Sequence, residues 1–262
     1  MTGFIGGGNM AEALIKGMKK GGTNDIIVSE PLEARRRYLE QGYGVRTTQS
    51  NKEAVSLCDI IILAVKPQNM DGLLDEISDV VTAEKTVVSI AAGITLSFLE
   101  SRLRTKKLIR VMPNTPALVQ EGMSVMSLYG TFYEKEAAVV RGILMSVGKV
   151  LTMPEEHMNS VTALSGSGPG FIALFTEALI GSGVKMGIDG KAALELVVQT
   201  LLGTAKMLDS GISPENLRKM VTSPGGTTAA GLEVFADRAF SGIVEDALLA
   251  ARKRAGELGR RE

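Results

Sequence analysis

The sequence predicts an α/β protein: an N-terminal Rossmann-like doubly wound sheet over residues 1–152, then an all-α C-terminal domain over 153–262. Three observations predict it. A short apolar strand runs directly into Gly6-Gly7-Gly8, and a helix opens behind the glycines. Apolar, strand-sized runs then alternate with helical patterns, the signature of a doubly wound sheet. Around Gly148–Pro154 the alternation stops, and only long helical stretches follow.

Taken in order, the first strand covers Gly3–Ile5, and a helix from Asn9 to about Lys20 places Leu14, Ile15 and Met18 on one face. Gly21-Gly22 ends it. Ile26–Val28 is the second strand, followed by a charged helix with Leu32, Tyr38 and Leu39 on its inner side. Glu53–Leu57 predicts a short helix. Asp59–Val65 is an uninterrupted apolar strand, the habit of parallel sheets buried on both faces, and Lys66-Pro67 ends it. Further strands are expected at Thr86–Ile90, Leu108–Met112 and Ser124–Leu128, with helices near 69–80, 95–103 and 134–146.

In the second half, Pro169–Met186 is apolar almost all round, which predicts a buried central helix. Asp189 caps a second long helix through Leu208. Ser213-Pro214-Glu215 combines a cap, an N1 proline and a first-turn acid. Helices near 228–237 and 242–258 complete the chain. The last turns Ile243, Ala247, Leu248 and Ala251 inward and ends in Arg252, Lys253 and Arg254, matching the helix dipole. So much apolar helix surface suits burial on another subunit.

Composition excludes several classes. Lys plus Arg and Asp plus Glu number 29 each, so no basic face favours nucleic acid. Aromatic residues make up 4% and are scattered, which leaves no base-stacking platform. Cys58 is the single cysteine, so it has no internal disulfide partner, in keeping with the reducing cytoplasm. The longest strong apolar run, Ile60–Val65, is strand-sized, so no membrane span is expected, and no basic-then-apolar leader precedes the first strand.

The opening turn carries the G-x-G-x-x-A form of the dinucleotide fingerprint on Gly6, Gly8 and Ala11. Gly6 permits the tight turn, Gly8 admits a pyrophosphate to the backbone, and Ala11 lets the helix pack close to the strand. Glu30 follows Gly8 by 22 residues, where a carboxylate meets the ribose 2′-OH. That carboxylate favours NAD(H). Ser29 and Arg35, Arg36 and Arg37 instead suit the 2′-phosphate of NADP(H), or form a solvated helix face, so the preference stays open. Ala64-Val65-Lys66-Pro67, Ala91-Ala92-Gly93 and Met112–Pro116 end three successive strands, and ligands of open α/β sheets bind along that carboxyl edge.

Two glycine-and-hydroxyl turns precede helices in the second half: Ser165-Gly166-Ser167-Gly168-Pro169 and Ser223-Pro224-Gly225-Gly226-Thr227-Thr228. Each is a helix cap by local chemistry and also a site for an anion such as a carboxylate. His157 is the sole histidine, on a helix start, and reads as a surface or capping residue. No cluster has metal-ligand spacing. Hydride transfer needs neither metal nor nucleophile, and a hydroxyl suffices if the acceptor is already polarised, as a protonated imine is.

Phe4-Ile5-Gly6-x-Gly8-Asn9-Met10-Ala11, the 64–67 turn, Met112–Pro116, Leu164–Pro169 and Ser223–Thr228 together resemble the pyrroline-5-carboxylate reductase family, in order and over nearly the whole chain. The resemblance implies NAD(P)H-dependent reduction of 1-pyrroline-5-carboxylate to L-proline, the last step of proline biosynthesis. It also implies a homodimer formed through the helical domain, with dimers assembling into decamers. It places Gly6, Gly7, Gly8, Asn9, Met10, Ala11, Glu30, Asn51, Ala64, Val65, Lys66, Pro67, Ile90, Ala91 and Ala92 on the dinucleotide. Thr228 matches the threonine that bonds the substrate ring nitrogen. The backbone of Gly225, Gly226 and Thr227, with Ser223, matches the carboxylate cradle, and Glu155 matches a carboxylate near the bound product. Gly7 stands where relatives have alanine, a change expected to be harmless. Glu30 stands where some have serine or a basic residue, and Met220 where some have a polar one. Two other readings remain: a reductase of another cyclic imine or a hydroxy-acid dehydrogenase, which would need a base such as Lys185 or Lys206, and a non-enzymatic nicotinamide sensor.

Overall fold

The run Ile60–Leu63 shows how the sheet is built. Side chains of a strand alternate between faces, so Ile60 and Ile62 enter one hydrophobic core and Ile61 and Leu63 the other. Both cores are covered by helices, so every residue of the run is apolar. The computed structural model describes residues 1–130 and 134–259.

The elements run β1 (Thr2–Ile5), α1 (Asn9–Lys20), β2 (Ile26–Ser29), α2 (Glu33–Tyr43), β3 (Arg46–Thr48), α3 (Asn51–Leu57), β4 (Ile60–Leu63), α4 (Met70–Ile77), β5 (Thr86–Ser89), α5 (Leu96–Arg102), β6 (Leu108–Met112), β7 (Gly122–Leu128), α6 (Glu134–Met145) and β8 (Gly148–Thr152). Then come α7 (Met158–Val161), α8 (Gly168–Lys185), α9 (Gly190–Asp209), α10 (Pro214–Met220), α11 (Thr227–Asp237) and α12 (Phe240–Leu258). The chain divides into two compact units. Met1–Ser167 with the chain from Ala250 forms the first, and Gly168–Leu249 the second.

In the first unit, eight strands form one sheet in the order β3-β2-β1-β4-β5-β6-β7-β8. All neighbours are parallel except β6 and β7. Phe4, Val28, Ile62 and Val88 share one core with Leu14, Ile15 and Met18 of α1 and Val140 and Leu144 of α6. Ile5, Ile27, Leu63 and Val87 share the other with Val55 of α3, Leu74 of α4 and Leu99 of α5. The chain leaves β1 for β2 on one side and reaches β4 on the other. The switch point of the sheet therefore lies above the carboxyl ends of β1 and β4, where Gly6 and Ala64 sit.

Several expectations need correction. The sheet contains β3 and β8, which the pattern of the sequence does not announce. Both are edge strands with few buried side chains, and an edge strand shows no apolar alternation. β8 also carries strand structure into the 148–154 seam. It starts at Gly148, where a Cβ would run into the backbone of Gly122, while a Cβ on Gly122 would meet Ala117 and Val147 O. On α2 only Leu39 is buried; Leu32 and Tyr38 face solvent.

The second unit departs further. Helix α8 exposes Phe171, Ile172, Leu174 and Phe175, so it is not a buried central helix within one chain. Ile243 and Ala247 of α12 are exposed as well. Within the helical run Glu155–Lys185, an 18-residue window has a mean hydropathy of 1.3, which puts it in the range of a membrane span by length and composition, where the sequence reading expects no stretch of that kind. That is a statement of size and composition alone. The predicted caps are present: Asp189 accepts from the N–H groups of Lys191 and Ala192, and Ser213 from that of Asn216. Gly183 lets α8 approach Ala193 of α9 closely, and Phe235, Phe240 and Phe175 form an aromatic cluster.

Candidate active site

The glycine turn is shaped by two constraints. Gly6 has φ +98°, and its N–H donates to Ser29 O at 2.8 Å. A Cβ there would lie 2.8 Å from Ala64 O, so the turn after β1 and the turn after β4 touch through a glycine. Gly8 is different. A Cβ on it would meet nothing within 4 Å, so the space in front of it is open. Gly8 is also the N-cap of α1, where no side chain caps the helix. The first N–H groups, those of Asn9, Met10 and Ala11, thus face an open, anion-sized space at a helix N-terminus. This fits the pyrophosphate of a dinucleotide.

Beside this turn is a cleft of about 480 Å³ lined by Gly6, Asn51 and Val65 from the predicted set. Ser29, weighed above for the 2′-phosphate, lines it too, as do Pro31, Gln68, Asn69, Gly72 and Glu76, which the sequence reading does not single out. Gly72 offered a signal: glycine inside a helix costs about 0.5–1 kcal/mol relative to alanine, so its presence in α4 asks for a reason. One polar chain crosses the cleft wall. Ser29 Oγ donates to Asn51 Oδ1 at 2.7 Å, and Asn51 Nδ2 donates to Glu76 Oε2 at 2.8 Å. Lys66 and Pro67 open a short 3-10 turn over 67–69 that leads into α4, and Ile90-Ala91-Ala92 leaves β5 with Ala91 N–H bonded to Ser89 Oγ.

Glu30 is buried at 8% exposure, and both carboxylate oxygens are engaged. Oε2 accepts from Gly7 N–H at 2.9 Å and Oε1 from Leu32 N–H at 3.0 Å. A Cβ on Gly7 would lie 2.8 Å from Leu39 Cδ1 and 3.3 Å from Glu30 Oε2. The glycine therefore makes room for the carboxylate. An alanine would fit only after Leu39 and Glu30 shift, so the position is less neutral than the sequence suggests.

The carboxyl edge continues at β6. Asn114 Nδ2 donates to Ser165 O at 3.3 Å and to Ser165 Oγ at 3.2 Å, while its Oδ1 accepts from Met123 N–H at 2.8 Å. A Cβ on Gly166 would lie 2.6 Å from Met112 Cε. The Met112–Pro116 turn and the first part of the Ser165–Pro169 turn are thus one structure, and a π-type turn over Thr162–Gly166 shapes it. Glu155 belongs to the same unit. Its Oε1 accepts from Leu96 N–H at 2.8 Å and from Arg110 Nη1 at 2.9 Å.

In the second unit, Gly225 has φ +69° and Gly226 is the N-cap of α11. Gly226 N–H bonds Ser223 O at 3.0 Å, which closes the turn. No side chain caps α11, so its first N–H groups, with Thr227 and Thr228 in the first turn, are open to an anion. An adjoining cleft of about 1250 Å³ is lined by Gly225, Gly226, Arg218 and Thr222 together with apolar residues. Met220 is exposed. His157 is half exposed, 3.6 Å from Glu156, and Lys185 and Lys206 are exposed on helix ends. No group of three metal-ligating side chains occurs among the described residues.

Residues 155–258 match the family model of the pyrroline-5-carboxylate reductase dimerisation domain. Residues 1–93 match a model described as NADP oxidoreductase, coenzyme F420-dependent. Pyrroline-5-carboxylate reductase from Synechocystis is 39% identical over 99% of this chain and 98% of its own. The chain belongs to the pyrroline-5-carboxylate reductase family.

Solved structures of family members agree. The enzyme from Coxiella burnetii superposes with a TM-score of 0.93 at 34% identity, covering 99% of this chain and 98% of that one. Pyrroline carboxylate reductase from Plasmodium falciparum, solved with NADP bound, gives 0.88 at 31% identity, with 99% and 98% covered. The family match accounts for the exposed apolar faces of α8 and α12, since the matching model is that of a dimerisation domain.

Proposed function

We propose that this chain reduces the C=N bond of 1-pyrroline-5-carboxylate to L-proline with NAD(P)H, as a homodimer in the cytoplasm, with a homodecamer as the higher assembly. The division of labour follows 1–152 for the dinucleotide and 153–262 for substrate and dimerisation. The observation that carries the reading is the uncapped N-terminus of α11, where a glycine turn offers free N–H groups beside Thr228.

When bound, NAD(P)H supplies the hydride for the imine carbon. The residues assigned to it are Gly6–Ala11, Glu30, Asn51, Ala64–Pro67 and Ile90–Ala92. The N–H groups at the start of α1 hold its pyrophosphate, and the small residues Ala91, Ala92 and Gly93 leave room for a flat ring. The backbone of Gly225–Thr227, with Ser223, holds the substrate carboxylate at the N-terminus of α11. Thr228 Oγ1 hydrogen-bonds the ring nitrogen and fixes which carbon is presented for reduction. The nitrogen gains one proton in the reaction. Where the imine arrives unprotonated, the hydroxyl of Thr228 passes that proton on from solvent. Glu155, held by Arg110 and Leu96, contributes a rigid carboxylate to the substrate-binding set.

A second copy covers the apolar cleft of about 1090 Å³ lined by Phe171, Phe175, Leu196, Leu201 and Val244, among others. Large exposed apolar surface of this kind marks an interface. The free, buried Cys58 suits a reducing compartment.

The experiment is to follow NADH and NADPH oxidation with 1-pyrroline-5-carboxylate and, separately, with its six-membered homologue. Faster turnover of the five-membered imine supports the assignment. Preference for the six-membered ring would reassign the substrate, and binding of nucleotide without turnover of either would leave a nicotinamide sensor.

A further inference from the structure

The arginines that follow β2 are all held by the protein. Arg35 donates through Nε to Gly7 O at 2.6 Å and through Nη2 to Glu12 Oε2 at 2.5 Å. Arg36 Nη1 is shared between Glu30 O at 2.7 Å and Pro31 O at 2.8 Å, where it fastens the turn between β2 and α2. Arg37 pairs with Glu33 one helical turn away on the exposed face of α2. The nearest lysine on α3, Lys52, pairs with Asp79. Among the described residues, no lysine, arginine or histidine lines the cleft beside the glycine turn. Its charged lining residue is Glu76, tied through Asn51 to Ser29. Glu30, which falls between the lining residues Ser29 and Pro31 in the sequence, is itself buried, with its carboxylate on the N–H groups of Gly7 and Leu32.

An acid at the end of the second strand meets the adenosine ribose in folds of this kind, whereas a 2′-phosphate there calls for a cation. A 2′-phosphate carries between one and two negative charges near neutral pH, and like charges in a half-buried cleft repel. Glu30 cannot withdraw: its oxygens are fastened to the N–H groups of Gly7 and Leu32, and Gly7 has no side chain to displace it.

From this arrangement we propose that the chain selects NADH over NADPH, with Glu30 and Glu76 as the specificity-determining residues. The inference rests on the dinucleotide site described above. A carboxylate has lone pairs beyond those that accept from Gly7 and Leu32, so Glu30 can still accept from a ribose hydroxyl. It offers a phosphate nothing.

The test is direct titration of the whole protein with NADH and with NADPH, without imine, by calorimetry or nucleotide fluorescence. NADH is expected to bind on the order of 10-fold more tightly or better. Glu76→Gln, on the exposed side of the cleft, is expected to narrow the ratio without loss of fold, and Glu30→Gln to narrow it further. NADPH binding as tightly as NADH, or a ratio unmoved in both variants, would overturn the proposal. Binding of neither nucleotide would overturn the dinucleotide site itself, a distinct outcome.

Discussion

The buried guanidinium of Arg110 donates to Glu155 Oε1 at 2.9 Å, joining β6 to the chain that leads into α7. The side chains are 6% and 29% exposed respectively, and that asymmetry decides what each substitution costs. Glu155→Ala strands a buried cation and is expected to cost about 3–5 kcal/mol. Arg110→Met leaves a carboxylate that water can still reach and that keeps its bond from Leu96 N–H, so the cost is about 1–3 kcal/mol. Denaturant unfolding of both variants checks the order.

Glu12 on α1 is held by three residues of α2. Burial pushes its carboxyl up, but hydrogen bonds from Tyr43, Arg35 and Tyr38 outweigh this and leave it below the ordinary 4.5. A folded value below the unfolded one means this contribution is present above about pH 4.5 and fades as pH falls through the folded value. Glu12→Gln is therefore expected to lower stability at neutral pH and to flatten the acid side of a plot of Tm against pH. An acid limb of unchanged slope would remove Glu12 as its source.

Gly6 and Gly8 separate fold from ligand. Gly6→Ala forces a Cβ toward Ala64 O at φ +98° and is expected to destabilise by about 2 kcal/mol or more. Gly8→Ala meets no protein atom within 4 Å and sits at φ −69°, so Tm is expected to hold within a few degrees while affinity for NADH falls at least ~10-fold. Thermal melts with and without nucleotide distinguish the two.

Leu196 is exposed in the apolar cleft between α8 and α9. Leu196→Glu is expected to shift the protein toward monomer in sedimentation or light scattering while the helical circular dichroism of the isolated chain persists. An unchanged assembly would move the interface to another face.

The parallel strands were legible because burial on both faces writes apolar runs, and the turns at the carboxyl edge were legible because glycine and proline mark them. β3 and β8 were not, since an edge strand such as Arg46–Thr48 has no buried pattern to display. The apolarity of α8 was legible, but within one chain the helix exposes Phe171, Ile172, Leu174 and Phe175 rather than burying them at a centre, which leaves the other expectation, burial on another subunit, as the reading of that face. In the site, Gly6, Asn51 and Val65 line one cleft. Gln68 and Asn69 just before α4, and Glu76 in its last turn, carry no distinguishing signal, because polar residues at helix ends look like any solvated face. The bonds from Gly7 and Leu32 to Glu30 could not be read from spacing, which places a carboxylate at the strand end but does not orient it.

The most direct test of the assigned chemistry is the turnover of Thr228→Val with 1-pyrroline-5-carboxylate, measured beside its affinity for NADH. The first turn of α11 is otherwise left intact, since the threonine caps nothing there. Turnover is expected to fall by ~10²–10⁴ if the hydroxyl passes the proton, and by less if it only orients a protonated imine, with nucleotide affinity unchanged in both cases. Unchanged turnover would contradict the assignment and take Thr228 out of the reaction.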